Sequence, residues 1–129
     1  MITSFAPVTK AKNLGDLLKF EAPNLYSRER TTVAAGQNLE LGAVVGTIKA
    51  TGKTTRFDPA ATDGSEVASG VLLEACDASL IDRDDALVVL RHAIVDDSTL
   101  VWPAGMDAAG KAAAVTSLKS LGVLIRQSV

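Results

Sequence analysis

The chain has 129 residues, 47% of them hydrophobic and only 4% aromatic, with a formal net charge of −2. That is enough for one domain, or one domain with a tail, whose core needs neither a disulfide nor a metal. The near-neutral balance and scarce aromatics argue against a basic, base-stacking nucleic-acid footprint, and the single cysteine, Cys76, excludes an intrachain disulfide.

Charge is unevenly placed. Residues 1–30 carry five basic side chains against three acidic ones, whereas the remainder carries eight against twelve. A mildly basic leading segment on an acidic body suits docking on an acidic protein surface. No apolar run approaches the ~20 residues a bilayer requires, so no membrane partner is expected. Lys10, Lys12 and Lys19 interrupt any signal-like start, which predicts synthesis in the cytoplasm of the producing cell.

The first thirty residues have no sustained period. Asn13 is suited to cap one helical turn with Asp16 at its third position, and Leu14, Leu17 and Leu18 share a face of that turn. Pro23 ends it. Phe5, Leu14, Leu17, Leu18, Phe20, Leu25 and Tyr26 are too many apolar groups for a tail that is merely solvated. Two readings are open: the segment folds back on its own body, or it lies on another protein.

From Thr31 the character changes. Thr31-Thr32-Val33 reads as β, Ala34 to Asn38 as a turn, and Leu39 to Ile48 as one strand buried on both faces. Residues 49–53 form a turn, Thr54 to Phe57 a short strand, and Asp58 to Gly64 a surface loop. Ala68–Ala75 and Ala86–Val95 are further strands, the second apolar and β-branched enough to be central. Asp96-Asp97-Ser98 turns the chain into an extended piece ending at Trp102-Pro103, a pair given a structural role. One helix is predicted from a cap at Asp107 to Gly122 just past its end, with Ala114, Val115, Leu118 and Leu121 as its apolar stripe. Val123 to Arg126 is a last strand. The fold expected is mainly β with one C-terminal helix: an extended arm over residues 1–30 and a compact domain over residues 31–129.

No catalytic, cofactor-binding or metal-ligating set assembles. Gly52-Lys53-Thr54 resembles the end of a phosphate loop, but its first glycine would fall at Thr47, and no helix follows. Asp82, Asp84 and Asp85 alternate like part of a calcium loop without its glycine and glutamate, and read better as a solvated turn. His92 is the only histidine, placed in the apolar strand without the partners a zinc site needs. No strained GxSxG elbow presents a serine. Cys76, among apolar neighbours, reads as an inert buried thiol. An enzyme is not expected.

The order and spacing of several stretches carry a resemblance. They are Tyr26-Ser27-Arg28-Glu29, Thr32-Val33, Ala35-Gly36-Gln37-Asn38-Leu39, Leu41 to Gly46, Gly70-Val71-Leu72, Leu100-Val101-Trp102-Pro103 and Leu121-Gly122-Val123. Together, from about Leu25 to the C-terminus, the chain resembles the lambda-type head decoration (head-stabilising) proteins of tailed bacteriophages. The resemblance implies a β-clip-like domain that forms homotrimers on the outer surface of the expanded capsid in the virion. It implies the major capsid protein as partner and no cofactor. Residues 1–30 would clamp capsid subunits by strand addition, anchored by Phe5, Leu14, Leu17, Leu18, Phe20, Leu25, Tyr26 and Arg28. The arm is longer and more apolar than the lambda-type pattern. The alternative reading is a small clip or barrel ligand-binding domain, with Ala35 to Asn38 and Gly42 shaping the pocket.

Overall fold

A computed structural model of the chain describes residues 13–23 and 26–127. Their order is α1 (Leu14–Leu17), β1 (Leu18–Glu21), β2 (Arg28–Val33), β3 (Gln37–Leu39), β4 (Val44–Thr47), β5 (Thr54–Arg56), β6 (Gly70–Leu72), β7 (Cys76–Ala78), β8 (Arg83–Val89), β9 (Ala93–Asp96), α2 (Ala108–Ser120) and β10 (Val123–Arg126). The fold is thus mainly β, and α2 is its single C-terminal helix.

The strands divide into three sheets. A closed barrel runs β2-β5-β4-β6-β8, an open sheet runs β1-β9-β10, and β3 and β7 form a two-stranded ribbon. One core cluster gathers Val33, Val45, Leu72, Ala86 and Val88 of the barrel strands together with Leu39, Ala43, Cys76 and Ala78. A second core joins barrel to open sheet and helix, through Val44, Phe57, Val71, Leu73 and Val89 on one side and Val95, Ala114, Leu118 and Val123 on the other. Burial of these apolar surfaces, at about 25 cal/mol per Å², is the dominant favourable contribution.

The helix forms where its caps predict. Asp107 accepts from the Gly110 amide at 2.7 Å, and Gly122 follows the last turn with φ +87°. Ala114 and Leu118 are buried as expected, but Leu121 is 42% exposed, because the stripe turns outward at the C-terminal end.

Three expectations need correction. Leu39–Ile48 is not one strand. Gly42, at φ +91°, turns the chain between β3 and β4, and a Cβ there would collide with the Thr99 carbonyl. Ala86–Val95 is likewise two strands, because the backbone bends at Arg91-His92 and β9 pairs in the open sheet, not the barrel. His92 therefore lies exposed in a turn rather than within a strand, and takes φ +50°.

The third concerns the leading segment. The division at residue 30 falls inside β2, whose Arg28, Glu29 and Arg30 pair with Val89, Val88 and Leu87. Farther upstream, α1 carries a capping box between Asn13 and Asp16, as its sequence predicts. Leu17 is fully buried in the second core, with Leu14 and Leu18 packed against it. β1 then pairs antiparallel with β9, Leu18 opposite Val95 and Glu21 opposite Ala93. Of the two readings left open, residues 14–21 follow the first and complete their own body. Phe5 and Leu25 lie outside the described residues.

Candidate functional site

The side chains singled out in the leading segment separate by direction. Leu14, Leu17 and Leu18 face the core, whereas Phe20 is 58% exposed and Tyr26 is 53% exposed. Arg28 grips Glu21 with its Nε and Nη2 donating to both carboxylate oxygens at 2.6–3.1 Å, and Ser27, buried, donates its hydroxyl to the same carboxylate at 2.6 Å. The Arg28 hydrogen bond holds the Glu21 carboxyl below its usual range, against the opposing pull of burial. Arg28 is thereby engaged within the body, where it ties β1 to β2. Trp102 is half-buried against the second core, and Pro103 is half-buried at the rim of a polar hollow.

Around the turn after β8 a compact aromatic group assembles. The Tyr26 ring stacks on His92 with centroids 5.3 Å apart, and the Arg91 guanidinium carbon lies 5.2 Å from the Tyr26 centroid. Arg91 also donates to the Tyr26 carbonyl and to Glu29, each at 2.6 Å. A Cβ on Gly122 would come within 2.7 Å of the His92 ring, so the glycine that ends α2 also makes room for the imidazole.

The other chemistry-bearing groups hold loops. The Asp82 carboxylate accepts from the Ala35 amide and pairs with Lys53, and Asp85 pairs with Arg83. Asp63 and Asp77 are held below the usual carboxylate range by the hydroxyl and amide of Ser65 and Ser79. Gly52, at φ +72°, closes the hairpin between β4 and β5 by donating to the Ile48 carbonyl, so Gly52-Lys53-Thr54 is a turn followed by a strand. Burial pushes the Cys76 thiol up, which suppresses its thiolate. Among the described residues no three His, Cys, Asp or Glu side chains come together to hold a metal ion, and no helix is long and apolar enough to cross a membrane.

One hollow lies where the ligand-binding alternative places it. It measures about 440 Å³ and is lined by Gly36, Gln37, Asn38, Arg56, Asp58 and their neighbours. Several of its polar groups are already engaged: Gln37 accepts from the Arg56 amide, Arg56 reaches Glu40 and the Asn38 carbonyl, and Asp58 accepts from the Ala60 amide. A small-molecule site needs convergent polar groups over an apolar floor, whereas the apolar part of this lining is confined to Phe57, Ala61 and Pro103.

What remains on the surface is suited to contact. β1 and β10 are outer strands of the open sheet, and large apolar side chains stand exposed at Phe20, Tyr26, Val67, Leu80, Ile81 and Leu121. Leu80 and Ile81 were missed by the sequence reading, although an apolar pair enclosed by Ser79 and Asp82 in a polar turn is a readable anomaly.

A closed barrel beside an open sheet with outer strands, and exposed apolar points on its surface, suits a binding module. The family model for bacteriophage lambda head decoration protein D matches residues 7–123, and the chain belongs to that family. No curated protein matches the chain. Membership gives it a capsid-associated structural role in a bacteriophage virion; the family is one of structural capsid proteins, not of enzymes.

Proposed function

We propose that the protein binds the outer surface of an expanded phage capsid as a homotrimer and cements the shell, its leading residues clamping subunits of the major capsid protein by strand addition. The observation that carries this reading is the family match over residues 7–123. The division of the leading segment supports the clamp. Residues 14–21 form its root, locked by the capping box, by Leu17 in the core and by pairing with β9. The reach beyond that root falls to residues 1–12, which combine Ile2, Phe5 and Val8 with Lys10 and Lys12.

An extended segment that adds to a sheet edge satisfies its backbone groups there, while alternate side chains enter pockets. Three segments per trimer attach together, so modest single contacts combine into strong retention. Binding to the expanded shell alone stabilises that state by mass action, without chemistry.

The test compares the full chain with one lacking residues 1–12, each mixed with expanded shells that lack the protein. The shortened chain is expected to keep its melting temperature and its trimer mass by light scattering, yet to stay in the supernatant when shells are sedimented. Undiminished binding by the shortened chain would remove the clamp. Failure of the full chain to bind would remove the capsid reading itself.

A further inference from the structure

Two apolar features lie at opposite ends of β8. At its start, the turn after β7 lifts Leu80 and Ile81 into solvent, 91% and 67% exposed. At its end, a hollow of about 560 Å³ is lined by Tyr26, Thr47, Ser69, Leu90, Arg91, His92, Ser120 and Leu121. β8 has seven residues, so it separates the two by roughly 20 Å at the usual strand rise.

Both features are held in place before any partner arrives. The tip is fixed by Ser79, which donates its amide and hydroxyl to Asp77, by the Ala35 amide on Asp82 at 2.8 Å, and by the Lys53–Asp82 ion pair. The hollow is walled by the stacked Tyr26 and His92 rings, with Arg91 pinning Tyr26. Groups ordered in advance lose little conformational freedom on association, which favours a tight contact.

Charge adds a smaller contribution. Of the four aspartates in residues 77–85, Asp82 is paired with Lys53 and Asp85 with Arg83, while Asp84 is exposed; Arg91, the one formally charged side chain in the lining of the hollow, shares its charge with Glu29 and can still accept a second acidic neighbour. Size fits too, since a cavity of about 150 Å³ accepts a benzene ring, and the aliphatic groups of Leu and Ile are no larger.

From this arrangement we infer that the Leu80–Ile81 tip of one copy seats in the Tyr26–Leu90–Leu121 hollow of the next. The inference rests on the homotrimer reading above and assigns the surface that builds it. A ring of three requires a heterologous contact, in which two different patches of the same chain meet head to tail. A tip and a hollow at opposite ends of one strand supply that polarity. The aliphatic pair becomes the buried anchor, and the acidic flank of the tip approaches Arg91 at the rim.

The test uses the full chain in three forms: natural, Leu80→Asp/Ile81→Asp, and Leu121→Asp. All three positions are exposed, so each variant is expected to keep the natural circular dichroism spectrum. Light scattering is expected to show a trimer for the natural chain and weakening of self-association on the order of 100-fold for either variant, as for loss of central anchors. A second arm pairs Ile81→Cys with Ser120→Cys in one chain, the buried Cys76 staying out of reaction. Oxidation is expected to yield covalent trimers from the double variant and monomers from each single one.

Three results would overturn the inference. These are a trimer that persists in both aspartate variants, a natural chain that is monomeric, or covalent dimers from Ile81→Cys alone, which would mean a two-fold contact. Sedimentation with shells separates this failure from that of the capsid reading. A trimeric Leu80→Asp/Ile81→Asp protein that no longer binds shells would place the tip against the capsid, not the neighbour. A natural chain that binds shells while these tests fail would leave the capsid reading standing without this interface.

Discussion

The closed barrel and the open sheet solve the same problem differently. In the barrel every strand has a neighbour on each side, so its backbone groups are paired internally and no outer strand is offered to another chain. Among the described residues the sheet β1-β9-β10 stops at two outer strands, and one of them, β1, follows the leading segment in sequence. The barrel is therefore closed scaffold, and the sheet keeps unpaired outer edges among the described residues. The difference teaches that one chain can keep a closed body and an open margin by closing one sheet and leaving the other open.

Breaking the seam between the two regions gives the largest expected effect. Leu17→Ala opens a cavity where α1, barrel and open sheet meet, and is expected to lower stability by about 4 kcal/mol in denaturant titration. A change below about 1 kcal/mol would show that the leading root is not part of the core. Gly42→Ala attacks the same seam through the backbone. Its φ of +91° and the crowding at the Thr99 carbonyl predict a loss of about 3 kcal/mol.

Trp102→Ala is expected to cost about 2 kcal/mol, since the ring packs on the second core but is only half-buried. An unchanged melting temperature would mean that Trp102 serves a surface and not the seam. The smallest effect belongs to Glu21→Gln, which weakens the β1–β2 tie by about 1 kcal/mol at neutral pH. Its sign with pH follows from the lowered carboxyl. Because Glu21 is acidified by folding, its contribution is present above the ordinary value near 4.5 and is lost as pH falls below it. Glu21→Gln should therefore flatten the acid limb of the stability curve, and an identical limb in both proteins would dissociate Glu21 from it.

Much of the fold was legible because local signals were strong. Asn13 with Asp16, and Asp107 with Gly122, marked both helices through hydrogen bonds made within a turn of the chain. The strand at Thr54 and the last strand after Gly122 were bounded by turn residues. The breaks at Gly42 and His92, both at positive φ, were not legible, because apolar residues on both sides conceal a change of direction that only packing demands. Of the surface residues, Phe20 and Tyr26 were named among the apolar groups of the leading segment without being told apart from the leucines that turn inward, and Leu80 and Ile81 were passed over inside what read as a polar turn.

By itself, the sequence determined a β-rich chain with one late helix and a mildly basic leading segment rich in apolar groups. Periodicity, capping and composition are properties of neighbours along the chain, and they survive without knowledge of the fold. Only the tertiary structure decided that Leu14, Leu17 and Leu18 turn inward while Phe20 and Tyr26 turn outward, and that one strand carries an apolar tip and an apolar hollow at its two ends. Those choices depend on which faces meet across distant segments, and no local pattern records that.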